Sequence, residues 1–152
     1  EPLVFSEREG NSTLLKERII ANDIIDGEIS ESVINTSSDI NYSVAGTYHS
    51  TYEVSNSFGD TSTIELPVHI IKSENNQIDI KLTQGIIYIN PGETIDAADY
   101  IESVTSAQGR ALHRVVKIES NVDNTTPGIY EIHYRASYSG TNGETWLTVV
   151  VQ

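Results

Sequence analysis

Apolar residues fall in short runs along this chain, and turn-forming residues break them every eight to twelve positions. Where an alternation is clear, its period is two. Ile64, Leu66 and Val68 alternate with polar residues, and so do Ile78, Ile80 and Leu82, which predicts half-buried strands. Further strands are expected at residues 2–5, 33–34, 112–118, 62–71 and 144–151, and after Gly46 and Gly128. Pro67 lies inside one of them and predicts an edge position or a bulge. Turns are expected at residues 9–11, 26–27, 57–60, 91–93, 108–109 and 139–143. Residues 14–20 have no clean period, so a turn of helix or an irregular strand is expected there. Residues 96–101 could form one short helical turn.

The pattern repeats. Val44-Ala45-Gly46-Thr47-Tyr48 with Tyr52 reappears as Thr126-Pro127-Gly128-Ile129-Tyr130 with Tyr134, 82 residues later. At that offset, without gaps, Gly10 meets Gly92, Val33 meets Val115, Thr63 meets Thr145 and Val68 meets Val150. The matched residues are turn glycines, strand aliphatics and tyrosines, which a β-domain backbone constrains. The expectation is an all-β chain of two tandem β-sandwich domains, residues 1–72 and 78–152, joined by a polar linker at 73–77. The linker is short, so the domains are expected to stack end to end. The strand at residues 78–82 has no counterpart in the first copy. That copy lacks its first strand, or something upstream supplies it.

Composition narrows the function classes. The chain has 152 residues, 38% of them hydrophobic, and no cysteine, which excludes disulfides and thiol chemistry. No stretch is long enough for a membrane span or built like a signal peptide. The formal charge is −13, spread over both halves, and it opposes binding to nucleic acid or to anionic membranes.

Tyr48 and Tyr130 each stand two residues after a glycine, at the start of a predicted strand. In immunoglobulin-like sandwiches a tyrosine so placed hydrogen-bonds back across the adjoining corner. Tyr52 and Tyr134 share its strand face and are expected in the core. Together with Asp23-x-x-Asp26-Gly27-Glu28, Ala45-Gly46-Thr47-Tyr48 and Ser57-Phe58-Gly59-Asp60, these residues resemble the bacterial immunoglobulin-like domains of surface and secreted proteins. The second copy departs from that pattern at the acidic loop. The resemblance implies a non-catalytic extracellular module, at the cell surface or secreted, whose partners are neighbouring domains of its own chain. It would act as a stalk or spacer; the alternatives are an adhesin recognising a glycan or host protein, and an accessory domain of a secreted enzyme or toxin.

Candidate chemistry is sparse. Asp23, Asp26 and Glu28 could hold calcium, which takes several carboxylate and carbonyl oxygens on a flexible loop. Against this, Thr105, Gln108 and Arg110 stand at those positions in the second copy, so the fold does not need the acids, and a solvated Asp-Gly turn is the alternative. No other cofactor is expected. His49, His69, His113 and His133 read as ordinary strand residues, with no zinc or nucleophile motif around them. Trp146, Tyr138 and Tyr88 could form a platform for sugar rings, while core packing is the competing role for Trp146.

Overall fold

A computed structural model of the protein describes residues 1–152. The strands are β1 (Val4–Ser6), β2 (Asn22–Asp23), β3 (Gly27–Glu28), β4 (Ile34–Ser38), β5 (Gly46–Ser55), β6 (Thr61–Ile71), β7 (Asp79–Leu82), β8 (Ile86–Ile89), β9 (Ile101–Thr105), β10 (Val116–Ser120), β11 (Gly128–Tyr138) and β12 (Thr141–Val151). The only α-helix is one turn, α1 (Ser12–Lys16), started by the Asn11 side chain accepting from the Leu14 N–H. A short 3-10 turn at Ala97–Tyr100 takes the corresponding place in the second half, with Asp96 as its cap.

The architecture is all-β, sheet packed on sheet. In the first half a four-stranded sheet runs β1-β6-β5-β4, with the β2-β3 hairpin beside it. In the second half the order is β10-β11-β12-β8, faced by the pair β7-β9. Each half has its own apolar cluster. Leu3, Phe5, Leu15, Tyr52, Leu66 and Val68 centre the first, and Ile78, Ile80, Val104, Tyr134, Leu147 and Val149 the second. Strand periodicity accounts for this directly: Leu66, Val68 and Ile70 point to one face of β6, Leu147, Val149 and Val151 to one face of β12.

The paired strands of the two halves can be set against each other, but the offset between them drifts. Gly46 pairs with Ile70 and Gly128 with Val151, so beyond the central hairpin the offset is 81 and Val68 matches Val149, not Val150. The first hairpin carries one extra residue; the second closes on Ser139 and Gly140, both at positive φ, the two-residue turn that suits twisted strands. Near the start of each half the offset is 84. Arg8 (φ 66) donates to the Tyr42 carbonyl as Gly92 (φ 87) does to that of Asn124. Gly10 is therefore not the counterpart of Gly92. Its role is steric: a side chain there would meet the Phe5 ring.

Pro67 sits where β6 has one neighbour. His69 donates its N–H to the Leu3 carbonyl, on the β1 side. Two residues earlier the missing proline N–H points to the same edge, beyond the reach of β1, where no donor is needed.

The two halves lie side by side, not end to end. The linker forms a 3-10 turn at Ser73–Asn75, then docks: Asn76 bridges to Gly143 and its amide donates to Ser6 Oγ at 3.0 Å. Pro67, His69 and Ile71, on the outward face of β6, are buried as well. A linker of any polarity permits that packing, so its length alone does not set the domain arrangement.

Candidate functional site

Two places combine polar chemistry with defined geometry. The first is the acidic turn. Asp23 Oδ2 accepts from the N–H groups of Ile25 and Asp26, both at 2.9 Å, and its Oδ1 accepts from the Asn56 amide at 3.1 Å. Asp26 accepts from the Ser57 N–H at 2.6 Å and from the Ser57 hydroxyl at 2.7 Å. Glu28 turns aside to the Ser30 hydroxyl at 3.2 Å. These hydrogen bonds, that of the Asp26 N–H foremost, hold the Asp23 carboxyl below its usual range. Asp23 and Asp26 tie the β2-β3 turn to the 56–60 loop, and no three His, Cys, Asp or Glu side chains gather there as a group. What the tie presents is apolar. Ile24, Ile25 and Phe58 stand at the tips of the two joined loops and are exposed.

The second place is the junction of the halves. His69 donates or accepts at both ring nitrogens: Nδ1 lies 3.0 Å from Thr47 Oγ1 and Nε2 2.5 Å from Glu131 Oε2. Its ring stacks on Trp146 at 3.8 Å between centroids. Trp146 also stacks on His133, its cross-strand partner, at 4.0 Å, and His133 reaches Glu144 at 3.0 Å. His69 is only 6% exposed. Hydroxyl, imidazole and carboxylate in line have the connectivity of a nucleophilic relay. The setting is that of a brace. Thr47 and His69 are direct cross-strand partners of β5 and β6, and the indole covers the imidazole.

Period-two patterning missed this junction. Trp146 was expected in the core or on a sugar-binding platform, and it is in neither. It lies on the outward face of β12, between its core neighbours Thr145 and Leu147. Tyr138 follows Tyr134 and Ala136 on the core-side face of β11, so strand parity separates it from Trp146. It receives the Arg110 guanidinium over its ring at 5.2 Å. Tyr88 is on β8, half exposed. The signal in the sequence was the hairpin register: counting back from Ser139-Gly140 sets His133 opposite Trp146. Nothing local marked His69.

Tyr48 and Tyr130 each fold back four residues, donating at 2.8 Å to the carbonyls of Val44 and Thr126. Gly46 and Gly128 open β5 and β11, and a side chain at either would meet the ring of Tyr48 or Tyr130 at about ordinary contact distance. Tyr134 is fully buried and donates to the Ala97 carbonyl at 2.6 Å, binding the 3-10 turn to the sheet.

No family model matches the chain. It is 31% identical over 139 residues to an uncharacterized 81.3 kDa protein of Acholeplasma phage L2, covering 88% of this chain and 18% of that protein. It is 33% identical over 129 residues to the pesticidal crystal protein Cry22Aa of Bacillus thuringiensis, covering 78% of this chain and 16% of that one. The chain thus spans less than a fifth of the curated relatives it matches. Among solved structures, a Clostridium perfringens ZmpB fragment holding CBM51-2 with GlcNAc and INT domains aligns at 19% identity and TM-score 0.43, over 87% of this chain and 27% of that one. A larger ZmpB fragment, with the M60 catalytic domain and two CBM51 domains, aligns at 12% identity and TM-score 0.39, over 99% and 30%. No helix here is long and apolar enough to cross a membrane.

Proposed function

We propose that this chain is a non-catalytic structural module of a longer, exported bacterial protein, in which two β-sandwich units clamped into one rigid body fix the spacing and direction of neighbouring domains. The observation that carries the reading is the junction. A spacer strung on a flexible linker would leave the outward face of β6 wet. Here that face is buried, and the His69–Trp146–His133 stack with the His69–Glu131 pair holds one relative orientation. The acidic surface suits a solvated, self-repelling particle. The small share of each curated relative that aligns fits a module used within a longer chain. Small-angle scattering from the 152-residue chain tests the proposal. A single compact distance distribution, unchanged between low and high salt, is expected; a broad, extended distribution typical of two hinged units would sink it.

One observation favours a binding role. Ile24, Ile25 and Phe58 form an exposed apolar tip held by buttressing carboxylates, and a pure spacer gains nothing from such a tip. On this reading the partner is a protein surface, since the tip lacks the paired flat rings that stack on sugars. Pull-down by the intact chain that is lost with Phe58→Ser and Ile25→Ser would move the weight to this role.

A further inference from the structure

The second unit shows how its sandwich is closed, and the first unit has the same place open. β7 lies along β9, with Lys81 paired to Ser103 and Ile80 to Val104, and its Ile80 and Leu82, with Ile78 just ahead of it, enter the core. In the first unit the Ile29 N–H donates to the Ala21 carbonyl as the Leu112 N–H does to that of Val104. Ala21 therefore matches Val104, and Ile20 matches Ser103. The N–H and C=O of Ile20 have no backbone partner, and its side chain is 57% exposed. Beside it runs a groove of about 590 Å³, lined by Ile19, Tyr52, Val54 and Ile64 of the first unit and walled on its other side by Ile129 and Val150 of the second. Tyr134 and Ala136, the β11 counterparts of Tyr52 and Val54, share the second core with the β7 aliphatics.

The entry route is also defined. The register at β1 and β8 makes Glu1 the counterpart of Gly85, the residue just ahead of β8. Arg18 fixes that segment. It donates to the carbonyls of Pro2 at 2.6 Å and Val4 at 2.9 Å, and its guanidinium covers the Phe5 ring. In the second unit only Thr83 and Gln84 separate β7 from this point. We propose that the groove accepts a β-strand with aliphatic residues at alternate positions, entering directly ahead of Glu1, which pairs with Ile20 as Lys81 pairs with Ser103. Such strand addition draws affinity from the open backbone edge and specificity from the alternate pockets. One difference sets a limit. Gly143 lets the Ile78 carbonyl approach closely, and its counterpart Ser62 carries a side chain, so the strand fits from the Asp79 position onward.

The test adds a copy of residues 79–84 ahead of Glu1 in the otherwise unchanged chain, and compares it with the same extension carrying serine at both aliphatic positions. The aliphatic extension is expected to slow amide exchange at Ile20 by at least about tenfold and to raise Tm by roughly 5 °C. The serine version does neither. Equal exchange at Ile20 in all three chains, or equal protection by both extensions, overturns the proposal. The test reads amide exchange at Ile20, whereas the spacer reading rests on the His69–Trp146 contact, so the two can fail separately.

Discussion

Replacing Trp146 by alanine removes the aromatic side chain that the second unit stacks on His69 of the first. The indole is half-buried and stacks on two imidazoles, with interplanar angles of 8° to His69 and 3° to His133. An aromatic side chain buries about 150–250 Å², and apolar burial is worth about 25 cal/mol per Å². With part of the ring left wet, the transfer loss is about 2–3 kcal/mol. Each aromatic pair adds roughly 0.5–1.5 kcal/mol beyond area. The total is about 3–6 kcal/mol, of which about 1 kcal/mol belongs to the contact between units. A double-mutant cycle of Trp146→Ala with His69→Ala isolates that share. Since Trp146 is the sole tryptophan, urea unfolding must be followed by circular dichroism and by amide exchange on β6 and β11. The expected result is one transition in the parent chain and two in Trp146→Ala, with a coupling energy near 1 kcal/mol. A single unshifted transition, with coupling below about 0.3 kcal/mol, would refute the clamp.

Three further outcomes follow from the same geometry. Burial first, then the nearby Tyr100 and Asp96, push the Tyr134 phenol well above its usual range, so its contribution is complete below the ordinary phenol pKa and is lost as pH rises toward the raised value. Tyr134→Phe should cost about 1–3 kcal/mol at neutral pH, by leaving the Ala97 carbonyl without its donor, and should flatten the alkaline end of the stability profile. The Asp23 carboxyl is depressed, so its support is present above the ordinary carboxylate pKa and fades as pH falls through the lowered value; amide exchange at Ile25 and Asp26 should quicken in acid, and added calcium should leave Tm unchanged. Gly143→Ala should cost about 1–3 kcal/mol in thermal unfolding because its methyl meets the Ile78 carbonyl, whereas Gly46→Ala should change little.

Much of the fold was legible because its determinants are local. The alternation in residues 62–71 and 78–82 named two strands, and the repeated Gly-x-Tyr-x-x-x-Tyr placed β5 and β11. The gapless repeat went wrong where turns differ in length. An extra residue in the first central hairpin shifts Val68 onto Val149, and a left-handed Arg8 stands where the second unit has Gly92. A residue can hold positive φ when its N–H is fixed, as Arg8 is by Tyr42, so glycine matching alone does not register turns. At the candidate sites the acids were visible, but their use was not. A carboxylate facing its own turn amides has the same sequence signature as one facing an ion. The junction was less legible still, since His69 and Trp146 are 77 positions apart and meet only through the packing of two outward faces.

The two units show why the acidic turn can be dispensable in one and engaged in the other. In each, the turn that follows the edge segment lies against the loop of the central hairpin. The first unit joins them by carboxylate to amide and hydroxyl, Asp26 to Ser57 and Asp23 to Asn56. The second joins them by a cation over a ring, Arg110 on Tyr138. What the fold requires is the tether, and its chemistry is interchangeable. Arg110→Ala should therefore do to the second unit what Asp26→Ala does to the first. Each is worth about 1 kcal/mol locally, because exposed hydrogen bonds and exposed cation–π contacts are of that order. The effect should appear as faster amide exchange in the hairpin loop of the same unit, with the other loop unchanged. If Asp26→Ala left Ser57 and Phe58 exchanging as before, the tether would be an incidental contact, and the exposure of Ile25 and Phe58 at one tip would lose its structural cause.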